Sequence, residues 1–233
     1  MANSMDDIIV YYGEFSFEKD PQKCTLVEFL KKKPEELRLF DRKVQSALKK
    51  IYHLNGTPPP LYKSFSKTEG RTLEIYCTSG GKRQNSLSRA SYVPASRCII
   101  FNNLNTTKSE EVFVDALSHE LKHAENDTDE FRRIFQKADN YGKQQLAFLD
   151  EMHAYLCGIK VCHQQFPDSK NFWVNQYRQG LKEGQDPAAV EGKLLEQITA
   201  HLMNSDLYKT KYERYYPIKP SDQGISIDSL PPP

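Results

Sequence analysis

The fold of this chain turns on the stretch Asp115-Ala-Leu-Ser-His-Glu-Leu-Lys-His-Ala-Glu-Asn126. Inside it lies His119-Glu120-Leu121-Lys122-His123, two imidazoles four residues apart with a carboxylate beside the first. On a helix, residues at that spacing sit one turn apart along the axis and about 40° apart around it. Both rings can then meet one divalent cation, and Glu120 stands where it can activate a water bound to that cation.

The flanking residues describe the helix that carries the pair. Thr107-Lys-Ser-Glu110 has the spacing of a capping box, which predicts a helix start near Lys108. With His119 at zero, Val112, Phe113, Val114, Ala116, Leu117, Leu121 and Ala124 fall in an apolar arc from roughly 20° to 220°. The two histidines lie near the edge of that arc and Glu120 lies inside it. Glu111, Asp115, Ser118, Lys122 and Glu125 take the opposite side. A carboxylate among core residues is costly unless something compensates it. A cation does so. The competing account makes the histidines surface decoration and pairs Glu120 with a Lys or Arg.

A zinc site of this kind takes a third protein ligand and leaves the fourth position to water. Two residues can supply it. On the segment 144–160, Glu151 shares one face with Ala147, Phe148, Met152, Tyr155, Gly158, Ile159 and Cys162, while Asp150 and His153 point elsewhere. A carboxylate in that face again calls for a cation, and the small Ala147 and Gly158 suit close approach of a second helix. The alternative is Asp129, reached through His123-Ala-Glu-Asn126-Asp-Thr-Asp129, where a left-handed Asn126 would end the helix and turn the chain back. Asp129 has an ordinary use as well, as an acid in the first turn of the next helix. Glu151 is favoured by its angle on the buried face.

His119-Glu120-x-x-His123 followed by Glu151 on a later helix resembles the gluzincin branch of the zincin metallopeptidases. The small size and the block Leu149-Asp-Glu-Met-His-Ala-Tyr155 are similar to small bacterial zincin-like peptidases, some of them effectors delivered into host cells. The matching part covers about residues 97–165. The resemblance implies Zn2+ held by His119, His123 and Glu151, Glu120 as general base, and a protein or peptide substrate. It also implies a substrate lying along a sheet-edge strand just before the His-Glu helix, and delivery by a route other than Sec. Asn126 and Asp129 depart from it, standing where an extended metzincin pattern has Gly and His.

Composition bounds the other classes. With 32 Lys and Arg against 31 Asp and Glu, the net charge of +1 gives no nucleic-acid or membrane footprint. The 233 residues suit one well-buried domain, expected as a monomer, and 12 Phe and 13 Tyr supply its bulk. No Sec-type leader and no membrane-length apolar run are visible. Five scattered cysteines make no disulfide framework and point to a reducing cytoplasm. Cys157, Cys162 and His163 fit ordinary helix residues better than a thiolate site, and a Cys157–His153 catalytic pair is weaker still.

In chain order, 8–12 and 14–17 look extended, while 25–30 and 34–54 look helical. Residues 57–62 are expected as a proline-stiffened connector, and 82–89 as a polar loop or edge strand whose basic residues are solvated. Strands are expected at 73–78 and 96–102, and helices at 129–138, 143–165, 171–181 and 187–204. The outcome is α+β: a small sheet packed on a mainly helical domain over 1–216, with a flexible Pro-containing tail over 217–233. Tyr155, His201, Tyr212, Tyr215 and Tyr216 are candidates to stabilise an oxyanion. The resulting expectation is metal-assisted peptide hydrolysis, against a non-enzymatic helical module whose metal site is structural or absent.

Overall fold

The computed structural model describes residues 9–12, 22–25, 74–77, 90–94, 98–101 and 109–225, with seven residues between 43 and 51. The expected extended piece 14–17, connector 57–62 and basic loop 82–89 lie outside the described residues, as do parts of helix 34–54 and all of helix 25–30 but Thr25, which ends a strand instead of capping a helix. The described part is mainly helical.

Among the described residues, five four-residue strands, β1 (Ile9–Tyr12), β2 (Gln22–Thr25), β3 (Glu74–Cys77), β4 (Ala90–Val93) and β5 (Cys98–Phe101), pair in the order β2-β1-β3-β5-β4. The β1–β3 and β3–β5 pairs are parallel and the outer pairs antiparallel. The strand just before the His-Glu helix, expected at the sheet edge, is therefore flanked on both sides. Pairing with β3 leaves one side of β5 open, and its sequence neighbour β4 folds back onto that side with Tyr92 opposite Ile99.

Helical residues between 43 and 51 form α1. They are followed by α2 (Glu110–Asn126), α3 (Asp129–Lys137), α4 (Asn140–Gln165), α5 (Phe172–Lys182), α6 (Pro187–Met203) and α7 (Asp206–Tyr215). The starts are written in the sequence. Ser109, Thr128, Asp139, Asn171 and Asp186 each accept a first-turn N–H on the side chain, and α6 has Pro187 in its first turn. Ser109, rather than Thr107, caps α2, which puts Glu110 and Glu111 in the first turn where acids favour the helix dipole.

Among the described residues, two apolar cores share one helix. The first joins Val44, Leu48 and Ile51 of α1 and Ile99 and Phe101 of β5 to Phe113, Leu117 and Leu121 of α2, with Val161 of α4. Phe101 stacks on Phe113 at 4.6 Å between centroids. The second joins Ile159 and Cys162 of α4 to Val174 and Tyr177 of α5 and to Val190, Leu194, Ile198 and Leu202 of α6. Ser118, placed by its angle on the polar side of α2, is buried and turns its hydroxyl onto Val114 O at 2.7 Å. Where α4 crosses α2, a Cβ on Gly158 would stand 2.5 Å from Asp115 Oδ1. That is the close approach the small residues implied.

Residues 217–225, assigned by composition to a flexible tail, are hydrogen-bonded to the start of α4. Asp139 accepts from Gln223 and Gly224 N–H, Gln145 accepts from Ile225 N–H, and Asn140 donates to Pro217 O. Gly224 has φ +76°, and a Cβ there would lie 2.5 Å from Gln145 Oε1.

Candidate metal centre

The i,i+4 spacing on α2 aims His119 and His123 at α4, and their Nε2 atoms lie 3.0 Å apart. Glu151, buried on α4, places Oε2 3.3 Å from His119 Nε2 and 3.7 Å from His123 Nε2. Three ligands about 2.0–2.1 Å from a tetrahedral ion are separated by about 3.3–3.4 Å. The observed triangle has that size. Among the described residues it is the one group of His, Cys, Asp and Glu side chains that converges in this way.

Glu151 Oε2 is buried and receives no aligned hydrogen bond. An oxygen in that state is costly, and a cation at the triangle's centre would satisfy it. The donor set, two imidazoles and one carboxylate, suits zinc.

The supporting atoms fit the same reading. His123 Nδ1 lies 2.7 Å from Asp150 Oδ2, and a proton held there makes Nε2 the nitrogen that presents a lone pair once the ring is neutral. Asn126 Nδ2 holds the other Asp150 oxygen at 2.7 Å. Burial disfavours a charge on His123, yet the Asp150 hydrogen bond and the nearby Glu151 outweigh it and push its pKa up to about 10. Burial likewise opposes ionisation of Glu151, but His119 and His123 hold its carboxyl well below the usual carboxylate range. Metal uptake at such a site must release a proton from the imidazole.

Glu120 is buried on the inner face of α2, as its angle implied. Its Oε2 accepts Tyr92 N–H of β4 at 2.6 Å. Tyr92 OH donates to Asp127 Oδ2 at 2.7 Å, and Arg132 ties Asp127 to Pro94 O. The edge strand is thus fastened to the His-Glu helix beside the site.

No family model, no curated protein and no solved structure matches this chain.

Asn126 is the last residue of α2, and the residue after it, Asp127, has φ −75°, so no left-handed turn follows the motif. Asp129 opens α3 as a first-turn acid beside the cap Thr128 and is outside the ligand triangle. Asp150, which the angular reading set aside, contacts His123 directly. Burial pushes both the Cys157 and Cys162 thiols up, Cys157 to about 11, so neither supplies a thiolate near neutrality. Of the oxyanion candidates, Tyr155 stands at the site, its ring edge-on to His119 at 4.8 Å. His201 packs on Trp173, Tyr216 packs on Phe135, and Tyr215 is exposed.

Sequence reasoning missed two residues of α7. Tyr208 OH lies 3.1 Å from Tyr155 OH, and Lys211 Nζ lies 3.5 Å from Glu151 Oε1. Tyr208, Lys211 and Tyr212 follow helical spacing and share a face. That spacing was the available signal.

Proposed function

We propose that this protein is a zinc-dependent endopeptidase of α+β, zincin-like architecture acting on a protein or peptide substrate. The observation that carries the reading is the convergence of His119 Nε2, His123 Nε2 and Glu151 Oε2 around an otherwise unsatisfied buried oxygen. His119, His123 and Glu151 would hold the ion. Zinc bound there would supply a Lewis acid for the scissile carbonyl and acidify a water. Glu120 would be the general base for the attacking water and the acid for the leaving amine. The Tyr155 hydroxyl, paired with Tyr208, is the donor for the developing oxyanion.

The test pairs wild type with Glu120→Gln. Each is incubated with a cell lysate, new N-termini are mapped by mass spectrometry, and bound zinc is measured. The reading expects close to one zinc per chain in both proteins and new termini with wild type alone. Equal cleavage by the two proteins would remove Glu120 as base, and no zinc enrichment over a His119→Ala/His123→Ala double variant would remove the site.

One observation favours a second reading, a helical interaction module with a structural metal. Glu120 already serves a structural end by accepting Tyr92 N–H. Zinc retention without any Glu120-dependent cleavage supports that reading.

A further inference from the structure

The two oxygens of Glu151 have different neighbours. Oε2 faces the imidazoles at 3.3 and 3.7 Å, while Oε1 faces Lys211 Nζ at 3.5 Å. Lys211 is half-exposed, but it is not a loose surface lysine. Its Nζ sits 5.8 Å from the Tyr208 ring centroid and 5.7 Å from that of Tyr212. Tyr208 is joined through its hydroxyl to Tyr155, whose ring rests against His119. An aromatic chain therefore runs from the first histidine to the ammonium that meets the third ligand.

We infer that Lys211 is a positioning residue for the metal centre: by engaging Oε1 it leaves Oε2 as the single Glu151 oxygen presented to the ion. The inference rests on the zinc site proposed above. A carboxylate with both oxygens free can swing to bind an ion through both, which would occupy the position that a catalytic centre keeps for water. With Oε1 anchored, three protein atoms bind and one position stays open. A cation beside an outer ligand oxygen thus sets coordination number as well as ligand orientation.

The test uses Co2+ as the only metal, loaded into full-length wild type, Lys211→Met and Lys211→Arg. Visible spectra and chelator-competition dissociation constants are recorded at one pH, with melting curves to establish folding. Wild type and Lys211→Arg, which keeps the charge, should show the intense visible bands of four-coordinate cobalt. Lys211→Met should fold, show the weak bands of higher coordination, and bind Co2+ no more weakly than wild type. A Lys211→Met protein with the wild-type spectrum overturns the inference and leaves the metal site standing. An arginine variant that fails alongside the methionine overturns the charge-based account. A wild type that takes up no cobalt overturns the metal site and this inference together.

Discussion

The two nitrogens of His123 have separate partners, Asp150 at Nδ1 and the ligand triangle at Nε2. Asp150 therefore fixes which nitrogen is free to bind, and Asn126 fixes Asp150. Asp150→Ala is expected to weaken zinc binding by about 10–100-fold, the usual cost of removing such a partner. Glu151→Ala should cost more, and Asp129→Ala and His153→Ala little. Chelator competition on the four variants gives the order; wild-type affinity in Asp150→Ala would deny it any role. Glu120→Gln should keep its fold because the amide oxygen can still accept Tyr92 N–H. The three side chains that converge were legible because all of them lie on faces set by helical period. Asp150 was not, since its use depends on how far a ring on one helix reaches across another, and periodicity within a single helix carries no such distance.

Between α2 and α4 the decisive position is Gly158, packed against Asp115. The separation of these helices sets the separation of the histidines from Glu151. Gly158→Val should push them apart, costing about 1–3 kcal/mol of stability as overpacking does. Zinc affinity should fall with it. Denaturant unfolding with and without metal separates the two effects: a variant that loses stability but keeps full zinc affinity would mean that the helix spacing does not govern the site. Most helix boundaries were legible within a few residues, because the N-caps and apolar stripes are strong. Helix α7 was overlooked. Asp206–Tyr215 has a Thr, three Tyr and no aliphatic stripe, so its hold on the protein comes from Tyr208 and Tyr212 packing near α4 rather than from its own pattern.

At the scale of the molecule, the segment 217–225 closes back on the start of α4 through Asp139, a connection composition gave no reason to expect. Asp139 caps Gly142 and also accepts from Gln223 and Gly224, and these N–H donors hold its carboxyl below its ordinary value of 3.8. The folded pKa is the lower one, so the stabilisation is present in full above pH 3.8 and is lost as pH falls through the folded value. Protection of the Gln223 and Gly224 amides, their exchange rate relative to the intrinsic rate at each pH, should be high at neutral pH and fall on acidification, and Asp139→Ala should show low protection throughout. Exchange in that variant as slow as in wild type would assign the hold to other contacts. The helix so anchored has a second property. Val161 of α4 enters one core while Ile159 and Cys162 enter the other, and Asp150 and Glu151 lie further up the same rod. Neither core can melt without withdrawing support from α4. Scanning calorimetry should accordingly give one endotherm whose calorimetric and van't Hoff enthalpies agree, moved as a unit to higher temperature by added zinc.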